Sequence, residues 1–258
     1  GFVSGFDAVK NIIEISKMEN IVIEGLYTHF ACADESDDTY TNEQFEKFMS
    51  ICNELGRLGI QIPIKHVCNS AAAIKFPQMH LDMVRIGILL YGMSPSGERN
   101  FGDINFKPAM TLKTNIIMIK TVEKGQSISY GRTFTTGRVS KIATIPIGYA
   151  DGFSRTLSNK SRVLIGNRFF PVVGTICMDT CMIDITCDAE NNDVYPQIEV
   201  GDEVIIYGRN DSNLIAIEEV ASLMNTINYE VTCLIGKRVP RVYISQGNVI
   251  NIKNYLLR

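Results

Sequence analysis

The sequence lacks the features of a membrane protein or a nucleic-acid-binding protein. No apolar run approaches the length of a membrane span, and the densest one, residues 86–90, has the length of a strand. Neither sign of charge dominates, because 25 basic and 28 acidic residues give a net charge of −3. We therefore expect neither nucleic acid nor an anionic membrane as a partner.

Common catalytic and metal-binding motifs are also missing. There is no glycine-rich phosphate loop, no Gly-x-Ser-x-Gly elbow and no catalytic pair of carboxylates. Cys177 and Cys181 are four residues apart in a predicted strand, so both point to one face, as packed core cysteines do. Because no histidine or second cysteine pair lies at ligand spacing, we expect no metal site.

The seven cysteines are scattered singly, and the chain shows no secretory leader. This usage is typical of a reduced, cytoplasmic protein. The chain begins with Gly1 rather than Met, and its first residues show no targeting pattern. We therefore expect the sequence to be a fragment of a longer protein.

The 258 residues, 45% of them hydrophobic, fall into two parts with different periodicity. In residues 1–103, helical patterns alternate with short β-rich runs at 21–27, 62–67 and 83–91. This alternation predicts an α/β fold of parallel βα units. Its three to four strands, roughly counted, are too few to close an eight-stranded barrel.

Residue pairs before two of the helical patterns resemble capping boxes. Ser4 with Asp7 precedes the first pattern, and Thr41 with Gln44 precedes the second, which Gly59 ends. We expect both pairs to cap helices.

From residue 104 onward, strand-like runs follow one another across Gly, Asn and Asp turns. They cover residues 111–122, 139–147, 162–177, 181–186, 202–207 and 241–245, with a helical patch near 217–235. This pattern predicts a β-rich domain over residues 104–258.

Two of the three histidines are placed where chemistry occurs in βα folds. His29 and His66 lie at or near the C-terminal ends of predicted strands, where barrel active sites form. Either one can instead be a hydrogen-bonded core histidine, and the pattern leaves both interpretations open. His80 lies in a loop-like stretch and is expected to be exposed.

Asn69 and Ser70 stand where a predicted strand turns into a helix. A hydroxyl group and free backbone N–H groups at such a start can hold a phosphate, but the pair is also an ordinary N-cap, which these residues alone favour. Arg85 lies in the apolar run 83–91, interpreted as a buried strand, so its guanidinium must be paired or bind a ligand. Gly87 would let the backbone approach that ligand closely.

Tyr130 and Tyr149 each stand beside a glycine at the end of a predicted strand. Tyr-Gly is common in turns, so either pair alone is interpreted as structural.

The order of these motifs resembles the alanine racemase family. The motifs are His-Val-Cys-Asn-Ser-Ala-Ala (66–72), Val-Arg-Ile-Gly-Ile-Leu-Leu-Tyr-Gly (84–92), Ser-Tyr-Gly-Arg (129–132), Ile-Gly-Tyr-Ala-Asp-Gly-Phe-Ser-Arg (147–155) and Val-Gly-Thr-Ile-Cys-Met-Asp (173–179). Asn-Tyr-Glu (228–230) and Arg-Val-Pro-Arg-Val-Tyr (238–243) resemble the end of the family's chain. The resemblance covers essentially the whole sequence.

This resemblance implies an enzyme that uses pyridoxal 5'-phosphate (PLP) to interconvert L-alanine and D-alanine, supplying D-alanine for peptidoglycan. It implies the C-terminal part of a (β/α)8 barrel over residues 1–103 and a C-terminal β-rich domain over 104–258. It also implies a homodimer with shared active sites. The family's Lys-Ala-Asn-Ala-Tyr-Gly motif, which carries the cofactor lysine, is absent, so we expect the fragment alone to be inactive.

Site residues carry over from the family position by position. Among the catalytic ones, Tyr130 matches one of two bases, Arg85 the arginine that faces the pyridine nitrogen, and His29 and His66 the histidines that link them. Besides Arg85, the implied cofactor-binding positions are Asn69, Ser70, Gly87, Ile88 and Tyr229. The implied substrate-binding positions are Tyr149, Met178, through its backbone N–H, and Asp179.

Other functions remain open at this point. The chain can belong to a related racemase for serine or for a broader range of amino acids, which residues near Tyr149 and Met178 would decide. A decarboxylase of the same architecture fits the motifs less well. A non-catalytic remnant is a further alternative, because the cofactor lysine is absent.

Overall fold

The computed structural model of the chain describes residues 1–96, 104–186 and 197–257. The chain divides into two compact units, residues 1–107 and 108–258. The predicted domain boundary between residues 103 and 104 stays a prediction, because residue 103 lies outside the described residues. No helix in the described ranges is both long and apolar enough to cross a bilayer.

The described residues of the first unit form two short parallel strands and three α-helices. These are α1 (Phe6–Ser16), β1 (Gly25–Tyr27), α2 (Thr39–Arg57), β2 (Ile64–His66) and α3 (Ser70–Lys75). Tyr27 is in register with His66, so the C-terminal ends of both strands lie side by side. The residues that follow these ends are thereby brought together.

Helix α2 packs through one apolar face, as its helical spacing predicts. Phe48, Cys52 and Leu55 on this face are all buried. Leu55 packs in one core with Val9 and Ile12 of α1, and the other two residues join a second core that includes residues of α3. Both cores depend on the same face of α2.

The prediction of a strand over residues 83–91 is wrong. The Arg85 N–H does donate to the Cys68 carbonyl (2.9 Å), but the chain then turns at Gly87. Ile88–Tyr91 form a 3-10 helix, closed by the Leu90 N–H on the Gly87 carbonyl (3.0 Å). Among the described residues of this unit there are therefore two strands, not three or four.

Both predicted capping boxes are wrong as well. Helix α1 begins after Gly5 and α2 after Asp38, and neither residue caps its helix with a side chain. The Gln44 side chain instead bonds to groups outside its helix. Its Nε2 donates to Thr28 Oγ1 (2.9 Å) and to the His29 carbonyl (2.8 Å). A partner distant in sequence has replaced the local one.

The second unit is built on an antiparallel sheet. Its strands are β3 (Leu112–Asn115), β4 (Met118–Val122), β5 (Ser127–Ile128), β6 (Phe134–Thr135), β7 (Ser140–Ile145), β8 (Arg162–Ile165), β9 (Arg168–Val173), β10 (Cys181–Asp184), β11 (Glu203–Arg209), β12 (Leu214–Ile215), β13 (Arg241–Ser245) and β14 (Asn248–Lys253). The main sheet has the order β12-β11-β8-β9-β10-β7-β4, and β3 also pairs with β11. Its helices, α4 (Ile217–Met224) and α5 (Asn228–Cys233), fall within the predicted helical patch.

Two predicted runs each consist of two strands. Run 111–122 changes partner, because the Ile116 N–H donates to a carbonyl just before β11 and the Ile117 N–H to one of β7. Run 162–177 turns back at Gly166, whose φ is +54°. The sequence also missed β14, all of whose residues are exposed, so no buried face gives it a periodic signal.

The contacts of Gln44 predict how much this side chain stabilises the first unit. Gln44→Met keeps the length of the side chain but removes its bonds to Thr28 and His29, and also the one it accepts from the Ala31 N–H (3.2 Å). We expect a loss of about 1–3 kcal/mol in the free energy of unfolding, measured by urea denaturation.

Glu43→Met is the matched control, since among the described residues Glu43 makes a single contact of this kind, an exposed 3.7 Å ion pair with Lys47 on the same helix. Glu43→Met should lower the free energy of unfolding by no more than about 0.5 kcal/mol. Equal losses in the two variants would contradict the assigned role of Gln44.

Candidate functional site

Arg85 lies at the centre of a polar cluster at the C-terminal ends of β1 and β2. Its Nη1 donates to the His66 carbonyl (3.2 Å), and its Nη2 donates to the carbonyls of Thr28 (2.9 Å) and Val67 (3.3 Å). The same nitrogens contact the Nδ1 atoms of His66 (2.5 Å) and His29 (3.3 Å). Carbonyl and imidazole groups thus hold the half-buried guanidinium.

This arrangement fixes which histidine nitrogens are free of a proton. A guanidinium only donates, so Nδ1 of His66 and Nδ1 of His29 must both accept. Burial, and then the charge of Arg85, lower the pKa of His66 below its ordinary value. His66 is therefore a neutral imidazole with its proton on Nε2.

Tyr27 and Thr28 belong to this cluster, and the sequence interpretation missed both. The Tyr27 ring stacks on the His66 ring, with centroids 5.2 Å apart and planes 8° apart. The Arg85 Cζ lies 5.2 Å from the centroid of the same ring. Their position before His29 was visible in the sequence, but the pairing of Tyr27 with His66 required the strand register.

Asn69 and Ser70 act at the start of α3. The Asn69 side chain accepts from the Ala72 N–H (3.0 Å), which confirms the N-cap interpretation. Ser70 is buried, and its Oγ accepts from the Gly87 N–H (2.9 Å). The structure thus brings Ser70 and Gly87 together, with the buried Ile88 next along the chain.

His80 is not the simple surface residue that we expected. It is partly buried, and its Nε2 lies 2.9 Å from the Ala73 carbonyl. This contact ties the segment after α3 to the helix, and no functional role follows from it.

The donors left over in this unit fit a phosphorylated pyridine. The Arg85 Nε–H has no acceptor among the described residues, whereas both terminal nitrogens are engaged. Ser70 Oγ accepts a hydrogen bond and so keeps its own proton to donate. The Arg85 Nε–H suits a ring nitrogen and the Ser70 hydroxyl suits one oxygen of a phosphate, so these side chains fit both ends of PLP.

In the second unit, Tyr130 stands on a strained turn after β5. Its ring is largely exposed, with 74% of the residue surface accessible. Ser129, Gly131 and Arg132 around it have φ values of 65°, 71° and 50°. The Tyr-Gly pair is thus a turn, as predicted, and the turn presents the phenol to solvent.

Tyr149 and Met178 lie on two loops that touch through their backbones. The Tyr149 N–H donates to the Cys177 carbonyl, and the Ala150 N–H to the Met178 carbonyl, each at 3.0 Å. Gly148 permits this approach, because a Cβ there would lie 2.2 Å from the Cys177 oxygen. The sequence-predicted substrate residues of this unit are therefore neighbours.

Arg238 connects these two loops, and the sequence interpretation gave it no role. Its Nε donates to Asp151 Oδ1 (2.6 Å), and its Nη2 bonds Asp179. The other Asp151 oxygen accepts from the Gly148 N–H (3.0 Å). These bonds raise the pKa of Arg238, so the cation joins both loops throughout the ordinary pH range. Asp179 is thus an ion-pair partner in this structure.

Tyr229 lies in the first turn of α5 and is partly exposed, and its carbonyl accepts from Thr232 Oγ1 (2.7 Å). It belongs to the second unit, whereas Ser70 belongs to the first. Each unit by itself thus holds part of the predicted set.

The order of these residues matches known protein families. Residues 1–95 match the model of the alanine racemase N-terminal domain, and residues 109–243 match that of the alanine racemase C-terminal domain. The chain belongs to the alanine racemase family. This membership confirms the predicted fold class, part of a (β/α)8 barrel followed by a β-rich domain.

Two alanine racemases that are similar in sequence are longer than this chain. The alanine racemase of Clostridium tetani is 49% identical over 257 residues, covering 99% of this chain and 65% of that protein. The alanine racemase of Methanococcus maripaludis is 50% identical over 244 residues, covering 95% and 63%. The chain thus spans slightly less than two thirds of their length.

Solved structures of alanine racemases have the same fold. The Clostridium difficile 630 enzyme in complex with cycloserine has a TM-score of 0.90 and 45% identity, over 99% of this chain and 65% of that one. The Bacillus anthracis enzyme with bound L-Ala-P has a TM-score of 0.83 and 39% identity, over 90% and 58%.

The lowered pKa of His66 leads to a prediction that an NMR titration can test. Proton NMR of its imidazole C–H signals should give His66 a titration midpoint below about 6.5. Arg85→Met should raise that midpoint only part of the way, because burial is the larger cause of the shift. The chain has three histidines, so single His→Gln variants assign the signals.

Lys10→Met is the control, since it removes an exposed positive charge from α1 and should leave the midpoint of His66 unchanged. Folding lowers the pKa of His66, so the neutral imidazole adds to the free energy of unfolding. This contribution is present above the ordinary pKa and is lost as the pH falls through the pKa of the folded state. A midpoint at or above the ordinary value would refute the assigned hydrogen-bond direction.

Proposed function

We propose that this chain is the larger part of a PLP-dependent alanine racemase, in which Tyr130 is one of two bases. The observation that carries the proposal is the arrangement around Arg85. Carbonyl oxygens and two imidazoles hold its terminal nitrogens and leave the Nε–H for a ligand. The substrate would be L-alanine or D-alanine, as the names of the relatives suggest.

Arg85 would face the pyridine nitrogen of the cofactor. PLP, when bound, delocalises the electron pair left behind as the α-proton departs. Arg85 donates a hydrogen bond but cannot give up its proton, so the nitrogen would keep its lone pair. This limits how far charge moves away from the α-carbon and favours return of the proton there.

The remaining residues of the first unit would hold the phosphate. Ser70 has a hydroxyl proton to donate, and Ile88 would contribute its backbone N–H at the adjoining turn. Gly87, whose own N–H donates to Ser70 Oγ, would let the backbone come close to the phosphate. Asn69 supports them by fixing the start of α3 through its cap. The resemblance to alanine racemases would add Tyr229 to the phosphate ligands.

Racemisation requires bases on both faces of the α-carbon. Tyr130 would serve the face from which L-alanine loses its proton. The base for the other face would be the lysine of the family's Lys-Ala-Asn-Ala-Tyr-Gly motif. That motif is absent from residues 1–258, and the chain covers 65% of the Clostridium tetani protein. The lysine would then lie in the uncovered part.

The second unit would bind the amino-acid end of the substrate. The Met178 N–H, which has no acceptor among the described residues, would donate to the substrate carboxylate, and Tyr149 lies beside it. Asp179 would act by holding its loop through Arg238. The proposal extends to a homodimer in the cytoplasm with active sites shared between subunits.

A test of this function needs a completed protein. Such a protein joins the segment of the Clostridium tetani alanine racemase that precedes its match to Gly1 onto this chain. With PLP it should racemise alanine faster than serine, whereas the 258-residue chain alone should be inactive because one base is missing. Racemisation by the unextended chain would contradict the two-base proposal.

Tyr130→Phe in the completed protein should separate the two faces. Exchange of the α-proton of L-alanine in D2O, followed by NMR, should fall by about 10²–10⁴. Exchange from D-alanine should persist, because the lysine still serves that face. Tyr243→Phe, in β13 of the same unit, is the control and should change neither rate. Equal losses from both enantiomers would leave Tyr130 with a structural role only.

Arg85→Glu in the completed protein should change the outcome of the reaction. An acid beside the ring nitrogen would let that nitrogen be protonated and draw charge away from the α-carbon. Racemisation should slow, while pyruvate formed by transamination of alanine, measured with lactate dehydrogenase, should rise. Arg85→Ala should slow racemisation without raising pyruvate. If the glutamate variant folds, binds PLP and forms no extra pyruvate, Arg85 does not face the ring nitrogen.

A further inference from the structure

The turn that carries Tyr130 needs support from outside itself. Ser129 and Arg132 have positive φ angles, which residues other than glycine rarely adopt. Such strain persists only where the surroundings hold the backbone in place. The exposed phenol of Tyr130 therefore takes its position from whatever fixes this turn.

Thr175, just after β9, contacts the turn on both sides of Tyr130. Its hydroxyl donates to the Tyr130 carbonyl (2.8 Å) and lies 3.3 Å from Thr133 Oγ1. Its own carbonyl accepts from Ser129 Oγ (2.5 Å). Thr175 is only 5% exposed, so water competes little for these bonds.

The hydrogen bonds form a chain with one direction. Thr175 has a single hydroxyl proton, which it gives to the Tyr130 carbonyl, so Thr133 must donate to Thr175. Thr133 in turn accepts from Asn159 Nδ2 (3.0 Å). The chain therefore runs from Asn159 through two threonine hydroxyls to the backbone of Tyr130.

The far end of this chain is attached to the sheet. Asn159 Oδ1 accepts from the Gly174 N–H (2.6 Å), directly after β9. Gly174 has φ +76°, and a Cβ there would lie 2.8 Å from the Ile128 carbonyl oxygen. The Tyr130 turn is thus packed backbone to backbone against the segment after β9, which includes Thr175.

We propose that Thr175 is a positioning residue for Tyr130, and the inference rests on the proposed function of Tyr130 as a base. The Thr175 hydroxyl would hold the turn so that the phenol reaches the α-proton on one face of the substrate. The rate of proton transfer falls steeply when the base is displaced from the proton that it removes. Loss of the hydroxyl would then affect the face served by Tyr130 and spare the face served by the lysine.

Thr175→Val in the completed protein removes the hydroxyl and keeps the branched shape. Exchange of the α-proton from L-alanine should fall by about 10- to 100-fold, as a misplaced base implies, while exchange from D-alanine changes little. Thr175→Ser restores the hydroxyl and should recover most of the L-face rate. Thr133→Val, which removes the preceding hydroxyl of the same chain, should give a smaller loss of the same kind.

A second measurement does not depend on activity. Hydrogen–deuterium exchange mass spectrometry should show faster amide exchange in the peptide that contains residues 129–133 in Thr175→Val, but not in Thr175→Ser. Thr136→Val is the matched control, because Thr136 is also buried and its hydroxyl donates to the Glu123 carbonyl (2.6 Å). It should leave both the 129–133 peptide and the ratio of the two α-proton exchange rates unchanged.

The outcomes separate this inference from the proposed function. If Tyr130→Phe loses exchange selectively from L-alanine while Thr175→Val keeps it, the inference is overturned and the proposed function stands. Equal loss from both enantiomers in Thr175→Val, or no recovery in Thr175→Ser, also overturns the inference. If Tyr130→Phe itself shows no selectivity between the enantiomers, the proposed function fails, and this inference fails with it.

Discussion

The guanidinium group of Arg85 organises the first unit. A half-buried cation costs free energy unless hydrogen bonds replace its water, and here carbonyls at or just after the ends of two adjacent strands replace it. Those carbonyls are available only because Tyr27 and His66 are in register, so strand pairing and charge burial support each other. The same bonds force both histidines to accept through Nδ1. One side chain therefore links the ends of both strands and sets the tautomer of both histidines.

Much of this cluster could be expected from the sequence. An arginine in an apolar run, histidines after strands and an Asn-Ser pair before a helix each follow from local chemistry, and the Asn69 cap was confirmed. The strand predicted over residues 83–91 was wrong, because hydrophobicity alone does not reveal a turn at Gly87. Gln44 was assigned to a helix cap, yet its three partners lie 13 to 16 residues away. Contacts of this range depend on tertiary structure, which local patterns do not encode.

In the second unit, too, features set by the local sequence were predicted, whereas contacts between residues far apart in the sequence were not. The strand-like runs were located well, because short apolar stretches bounded by Gly, Asn and Asp turns are a local property of the sequence. The change of partner at Ile116 and the ion pair from Arg238 to Asp151 and Asp179 were not predicted, since the partners lie 59 to 87 residues apart or on other strands. Arg238 was visible only as part of a motif, without a reason for its presence.

The close approach at Gly148 has a consequence for how variants of this protein would combine. Backbone hydrogen bonds and the absence of a Cβ join the loop of Tyr149 to the loop of Met178, so a displacement of either loop is transmitted to the other. Substitutions at these two positions should therefore show non-additive effects on stability. Libraries that vary one loop at a time would miss the pairs of residues that are stable together, whereas libraries that vary both loops and keep Gly148 would sample them.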